Sequence, residues 1–148
     1  IDGIEVLARH PAVEGWERQK VRNDDSIVLE LRWKDDVSVL LTGDIGRAVE
    51  QQIAPLVPPA RLRIVKVPHH GSLTSSSVAF LAATRPQVAI VSAGRSNHFG
   101  HPAPEVLDRY RAIGAAIFRT DLDGAVTIDT DGQAVDVRTF TGRSLSVR

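Results

Sequence analysis

The stretch LRIVKVPHHGSLTSSSVAFLAA, from Leu62 to Ala83, carries the pattern on which the fold of this chain is built. Its apolar run over 62–67 is short and rich in β-branched residues, which predicts a buried strand. A polar cluster with two adjacent histidines follows. Apolar positions at helical spacing then predict a helix over 75–83, preceded by hydroxyl side chains that can cap its start. The stretch therefore predicts a strand, a polar loop and a helix in succession.

The same succession recurs on both sides of this stretch. A strand over 37–41 precedes a helical pattern over 46–55, and a strand over 88–91 precedes a helix that Pro102 and Pro104 open and Gly114 closes. Further strands are predicted at 4–7, 26–33, 116–119, 125–129 and 134–140, with an irregular link containing Trp16 after the first. The order β-β-β-α-β-α-β-α-β-β-β is typical of an α/β fold with some antiparallel pairing, and residues 1–148 read as one domain.

Composition excludes several classes of protein. The 148 residues carry 18 basic and 18 acidic side chains, so net charge gives no long-range attraction to nucleic acid. The chain has no cysteine, which rules out disulfides and thiolate metal sites. No apolar run approaches the roughly 18 residues of a membrane span. The absence of methionine, including at position 1, indicates a piece of a longer polypeptide.

Three polar clusters follow the predicted buried strands, at 42–44, 69–77 and 92–101. Together they contain four of the five histidines and one carboxylate, that of Asp44. Because functional sites of α/β sheets gather at the carboxyl ends of the strands, we expect these loops to form one site. Elsewhere the chain has no H-x-H-x-D-H segment, no glycine-rich phosphate loop and no serine triad, and the isolated His10 reads as a solvated or packing residue.

Asp44 and the histidine pair are the candidate metal ligands. Asp44 admits two interpretations: a carboxylate that bridges divalent ions, or a cap for the helix that starts near Gly46. Neighbouring side chains of an extended strand point to opposite faces, so one of His69 and His70 is expected to bind metal and the other to contact substrate. A neutral imidazole suits zinc or manganese.

Three further polar residues are candidates for substrate contact. Ser72 either caps the following helix or holds a phosphate oxygen together with the helix amides. In the loop NHFGHP, His101 could supply a third ligand or a general acid, and Asn97 could donate a hydrogen bond to a substrate oxyanion.

Four segments taken together carry a family resemblance. They are NDDS (23–26), LLTGD (40–44), KVPHHGS (66–72) and SAGRSNHFGHP (92–102). They resemble the carboxyl-terminal metallo-β-lactamase-like domain of the ComEC family of competence and DNA-internalisation proteins. The resemblance implies an αββα sandwich, of which this chain is mainly the carboxyl-terminal half. The amino-terminal half, which carries the H-x-H-x-D-H-type ligands in such enzymes, is absent, and Asn23–Asp25 occupy the position of a third-motif histidine.

The resemblance also implies a function. Members are proposed to degrade the non-transported DNA strand with zinc or manganese. Asp44 and His70 would be metal ligands, and His69, Ser72, Asn97 and His101 would act in catalysis. Single-stranded DNA and the membrane channel domain of the same polypeptide would be the partners, on the extracytoplasmic side of a cell membrane, with this piece soluble. Because half of the ligands are lacking, we expect the chain alone to be inactive or nearly so.

Two other functions stay open. One is another hydrolase of the metallo-β-lactamase fold, such as a phosphorylcholine esterase-like enzyme, because H-H-G-S and T-G-D recur there. The other is a non-catalytic DNA-binding or assembly module. A half sandwich would leave an apolar sheet face exposed, which predicts a homodimer formed through that face.

Overall fold

A computed structural model describes residues 3–12 and 22–148, so the predicted link around Trp16 lies outside the described residues. Six strands form a mixed sheet whose spatial order is the chain order: β1 (Ile4–His10), β2 (Val28–Trp33), β3 (Val37–Leu41), β4 (Leu62–Lys66), β5 (Val88–Val91) and β6 (Ala116–Arg119). The pairs β1–β2 and β2–β3 are antiparallel, whereas β3 to β6 run parallel. The prediction of an α/β fold with antiparallel pairing is therefore confirmed.

Three helices connect the parallel strands: α1 (Arg47–Ile53), α2 (Val78–Thr84) and α3 (Pro104–Ala112). Each crossover steps to the next strand in the same direction, and right-handed crossovers of this kind place every helix on one face of the sheet. On that face Leu40 and Val65 from the strands pack with Ile45, Phe80 and Tyr110, all of them buried. This core fixes the helices and, with them, the loops that lead into them.

A second, three-stranded sheet covers part of the opposite face. It consists of β7 (Val126–Thr130), β8 (Val135–Thr139) and β9 (Ser144–Val147), which pair antiparallel in chain order. Val135 and Val137 pack there on Ile64, Val88 and Phe118 of the large sheet. The cover reaches Trp33, Val37 and Val39 of β2 and β3. It leaves an apolar strip at Val6 of β1, which is 63% exposed, and Leu41 at the end of β3, which is 38% exposed.

A cluster of buried charges lies on the helix-covered face near the amino-terminal ends of β3 and β4. The carboxylate of fully buried Glu30 accepts hydrogen bonds from Ser38 Oγ at 2.7 Å, Arg9 Nε at 2.8 Å and Arg32 Nη1 at 3.0 Å. Arg63 adds a longer contact at 3.5 Å. Burial by itself would raise the pKa of Glu30, but the hydrogen bonds from Ser38, Arg9 and Arg32 outweigh it and hold that pKa below its usual range.

The differences from the predicted elements are small and have local causes. The predicted helix over 75–83 begins only at Val78, because Ser77 is its N-cap and accepts from the amide of Phe80. The strand predicted over 62–67 ends at Lys66, because Pro68 opens a 3-10 turn that contains both histidines. Strand β9 and a short helix α4 (Thr120–Asp123) were not predicted.

None of the helices within the described ranges combines the length and the apolar character that a membrane span requires. The layers here are one of helices, one large sheet and one small sheet. The assignment to the carboxyl-terminal half of a metallo-β-lactamase-like sandwich, as a single partial domain, stays a prediction.

Candidate functional site

The predicted polar loops meet at one edge of the large sheet, as expected from the carboxyl ends of parallel strands. The amide of His69 donates to Gly43 O at 3.2 Å, which joins the loop after β3 to the turn after β4. The amide of Ala103 donates to Gly71 O at 2.9 Å, which joins that turn to the loop after β5. The 3-10 turn Asn23–Asp25, which precedes β2, lies at the same edge, and Ser26 just beyond it accepts from the amide of Asp44 at 3.0 Å.

Asp44 does not cap the helix that follows it. Helix α1 has Gly46 as its N-cap residue, and the amide of Gly46 donates to the carboxylate of Asp24 at 2.7 Å. The capping role that was one of the two interpretations of Asp44 therefore belongs to Asp24, which lies twenty residues earlier in the sequence. The carbonyl of Asp24 also accepts a hydrogen bond from His10 Nε2 at 2.8 Å. The carboxylate of Asp44 is left to face the turn after β4.

Asp44 and His70 form the central pair of the site. His70 Nε2 lies 3.3 Å from Asp44 Oδ1, and His70 Nδ1 donates to the carbonyl of Ser92 at 2.6 Å. Because Ser92 O can only accept, the Nδ1 atom carries a proton. A neutral His70 would then turn the lone pair of Nε2 towards a carboxylate oxygen, and this repulsion is relieved by a proton or a metal cation between the two atoms.

Lys66 places a positive charge beside this pair. Its Nζ lies 3.7 Å from Asp44 Oδ1 and donates to Gly43 O at 3.0 Å. Burial lowers the pKa of Lys66, and the neighbouring carboxylate of Asp44 acts in the opposite direction. No role was predicted for Lys66, because a lysine at the end of a strand has no recognisable signal of its own.

His69 lies on the other side of the turn and has its own partners. Its Nε2 accepts from the side-chain amide of Asn23 at 3.0 Å, and its Nδ1 lies 3.4 Å from Thr74 Oγ1. Its ring also meets the ring of His101 edge to face, with centroids 5.8 Å apart. The two adjacent histidines therefore reach different partners, through a left-handed turn and not through the extended strand from which their separate roles were predicted. Those roles stay predictions.

Ser72 and the amides at the start of α2 are engaged within the protein. Ser72 Oγ lies 3.0 Å from Thr74 Oγ1 and accepts from the amide of Thr74 at 3.3 Å, so it closes a local turn. The amides of Ser76 and Ser77 donate to the carboxylate of buried Glu50. The amides of Ser76 and Ser77, which were candidates for binding a phosphate oxygen, therefore already donate to the internal carboxylate of Glu50.

Asn97 organises the loop that carries His101. Its side-chain amide donates to the carbonyls of Gly94 at 3.0 Å and His101 at 2.8 Å, and its Oδ1 accepts from the amide of His101 at 2.9 Å. Burial, followed by the nearby imidazoles of His69 and His70, lowers the pKa of His101. All hydrogen bonds of the Asn97 amide here close the loop, and its role as an oxyanion donor stays a prediction.

The donor set fits part of a metal site. Asp44 and His70 supply an oxygen and an oriented imidazole nitrogen on facing atoms, which suits two coordination positions of zinc or manganese. Catalytic zinc sites use three protein ligands. Among residues 3–12 and 22–148 no group of three or more histidine, cysteine or acidic side chains is arranged to hold a metal ion. The pair therefore fits a half-site.

Fold and site together define a mixed α/β domain with a histidine-rich, carboxylate-bearing edge. In sequence the chain is similar to three bacterial proteins. It is 34% identical over 107 residues to ComE operon protein 3 of Bacillus subtilis, covering 71% of this chain and 13% of that protein. It is 34% identical over 127 residues to competence protein ComA of Neisseria gonorrhoeae, covering 84% of this chain and 18% of that protein.

The third relative is recombination protein 2 of Haemophilus influenzae, 38% identical over 92 residues, which cover 62% of this chain and 11% of that protein. No protein-family model matches the chain. The chain is thus related to a segment of competence proteins and spans less than a fifth of the length of each of these relatives.

Proposed function

We propose that this chain is part of a ComEC-like DNA-uptake protein, in which it contributes half of a metal-dependent phosphodiesterase site. The similarity to ComE operon protein 3 and to competence protein ComA, whose name refers to competence, supports the first part of the proposal. The four segments that resemble the metallo-β-lactamase-like domain of that family support the second part, because their polar residues converge on one edge of the sheet. In the whole protein this site would degrade the DNA strand that is not transported.

The observation that carries the proposal is the contact between Asp44 and His70. A carboxylate oxygen lies 3.3 Å from an imidazole nitrogen whose partner nitrogen is held by a backbone carbonyl. This is how proteins fix the tautomer of a metal-binding histidine. A purely structural ion pair between Asp44 and His70 could also stabilise the turn. Such a pair would not need the hydrogen bond from Nδ1 to Ser92 O that fixes the orientation of the His70 ring.

A divalent metal bound there would supply a water molecule of lowered pKa for attack on phosphorus. The residues of this chain have separate parts in that chemistry. Asp44 and His70 hold the metal, and Ser92 O keeps Nε2 of His70 free for it. Lys66 sets a cation beside Asp44 and moderates its charge. His101 can donate a proton to a phosphate or a leaving oxygen. His69, which Asn23 and Thr74 hold in place, would contact the substrate through its ring, and Ser72 and Asn97 support the loops that carry both histidines.

The rest of the metal site would come from outside this chain. The layer of helices, the large sheet and the uncovered apolar strip at Val6 and Leu41 fit the carboxyl-terminal half of an αββα sandwich. The missing half of the sandwich would complete the set of metal ligands and cover this strip. In its absence, a second copy of the chain would cover the strip instead. The single-stranded DNA, the membrane channel domain and the extracytoplasmic position belong to the whole protein in this proposal. Pure chain should accordingly show no robust, chelator-sensitive cleavage of DNA.

Calorimetric titration of the chain with manganese and with zinc tests the half-site. We expect Asp44→Ala to weaken binding at least about tenfold, since even residues that only orient a ligand change metal affinity by this amount. Asp108→Ala is the matched control, because Asp108 is an exposed aspartate on α3 that pairs with Arg111. Equal affinities for the wild type and both variants would refute the assignment of Asp44 as a ligand.

A second candidate function is a non-catalytic DNA-binding or assembly module. It is favoured by the lack of a third metal ligand among the described residues. Metal-independent DNA binding that weakens steeply with salt, together with no measurable metal affinity, would favour this function over the phosphodiesterase.

A further inference from the structure

Phe99 is an aromatic side chain exposed at the rim of the site. It is 82% exposed, and its ring stacks on His101 with centroids 5.9 Å apart and planes inclined by 18°. The hydrogen bonds of Asn97 to the backbone of His101 and Gly94 fix the loop beneath both rings. One face of the Phe99 ring is thus supported by an imidazole, whereas the other face is turned to solvent.

A pocket of about 270 Å³ adjoins this ring pair. Its walls include Phe99, His101, Ala93 and His70, and its lining contains no acidic side chain. His70 belongs to both the pocket and the contact with Asp44, so a group in the pocket would lie next to the candidate metal centre. A lining of apolar groups and imidazoles suits a flat, neutral ring, and the lack of a carboxylate in it places no negative charge against an anion attached to that ring.

The rings at this edge form a continuous series from the site to solvent. His69 meets His101 at 5.8 Å, and His101 meets Phe99 at 5.9 Å. We infer that Phe99, supported by His101, is a stacking platform for an unpaired base of single-stranded nucleic acid whose phosphate lies at the Asp44–His70 pair. The inference rests on the proposed function for the position of the phosphate, whereas the stacking itself needs no metal. It assigns to Phe99 the selection of unpaired strands, because a base within a duplex has no free face to offer.

Isolated exposed apolar side chains are ordinary on protein surfaces, and Phe140 provides the comparison. Phe140 is 84% exposed and lies in the turn after β8, where it packs over Gly124. Among the described residues it stacks on no ring, and it does not line the pocket beside Phe99. Phe140→Ala therefore removes an equally exposed aromatic ring without touching the platform.

The test is fluorescence anisotropy with an oligothymidylate of about ten nucleotides and with an abasic phosphodiester of equal length, both in the presence of EDTA. The wild-type chain should bind the thymidylate more tightly than the abasic strand. Phe99→Ala should weaken thymidylate binding about 5- to 150-fold, the range that loss of one stacked base produces, and should leave abasic binding unchanged. Phe99→Trp should restore the preference, and Phe140→Ala should match the wild type.

Two results would overturn the inference: equal affinity of the wild type for the two strands, or equal thymidylate affinity of Phe99→Ala and Phe140→Ala. Failure of the proposed function has a different signature. If Asp44→Ala leaves metal binding unchanged while base-dependent binding persists in EDTA, the half-site assignment fails and the platform stands.

Discussion

Gly43 offers a direct test of how the fold positions the site, since it connects β3 to Asp44. It has φ +56, and a Cβ atom added there would lie 2.5 Å from Ser26 Cβ and 3.3 Å from Ile27 O. Both the backbone conformation and the lack of space therefore require glycine. The close approach that Gly43 permits is that of the 23–26 segment.

The cost of Gly43→Ala has two parts that a control separates. A left-handed alanine costs roughly 1–2 kcal/mol, and forcing a methyl group into filled space adds about 1–3 kcal/mol. Gly114, which follows α3, has φ +75 and nothing within 4 Å of an added Cβ, so Gly114→Ala carries only the first part. The difference between the two variants therefore measures the contact with Ser26 and should be about 1–3 kcal/mol.

Urea unfolding followed by tryptophan fluorescence provides the measurement, with the slope of the free energy against urea concentration compared among the three proteins. An unchanged slope shows that the variants differ in stability and keep similar folded and unfolded states. If Gly43→Ala and Gly114→Ala lose the same free energy to within about 0.5 kcal/mol, the contact with Ser26 does not hold the loop, and the reasoning is refuted.

Two further predictions concern the buried charges and the apolar strip. Glu30→Gln should lower the free energy of unfolding by about 3–5 kcal/mol at neutral pH, because it leaves buried arginines without their partner. Because folding lowers the pKa of Glu30, its stabilisation is complete above the ordinary pKa of 4.5 and is lost as pH falls through the folded-state pKa. Urea unfolding from neutral to acidic pH should therefore show the free energies of the variant and the wild type converging. A constant difference between them would contradict this. Val6→Lys should abolish any self-association through the exposed sheet face, whereas Phe140→Lys should not; analytical ultracentrifugation that finds the same dissociation constant for both would exclude that face as the interface.

Much of the fold could be predicted because its strands are short apolar runs with clear boundaries. The predicted ranges 37–41, 88–91 and 116–119 coincide with β3, β5 and β6. Strand β9 was missed because SLSV is short and half polar, and its pairing with β8 is decided by contact with the distant core. The internal carboxylates of Glu30 and Glu50 could not be predicted either, since all of their partners except Arg32 are 8 to 33 residues away in sequence.

The position of the site could be predicted, but the partners of its residues could not. Polar loops at the carboxyl ends of parallel strands must share an edge, so the neighbourhood of Asp44, the histidine pair and His101 followed from the strand order. The choice between Asp44 and Asp24 as the cap of α1 depends on how the 23–26 segment packs on Gly43, which no local pattern encodes. Phe99 was part of a quoted motif, but its exposure and its stack on His101 are visible only in three dimensions.

The backbone at the two histidines favours a functional interpretation over a simple polar turn. His69 has φ 48 and His70 has φ 55, a left-handed conformation that costs roughly 1–2 kcal/mol for each residue with a side chain. Glycine or asparagine would relieve this strain if the turn had only to redirect the chain. The same conformation lets neighbouring imidazoles reach separate partners at one edge, His70 at Asp44 and His69 at Asn23, whereas an extended backbone would point them to opposite faces of the sheet. Strain that persists where His70 meets the Asp44 carboxylate and His69 meets Asn23 indicates that this turn serves to place the two side chains as well as to redirect the chain.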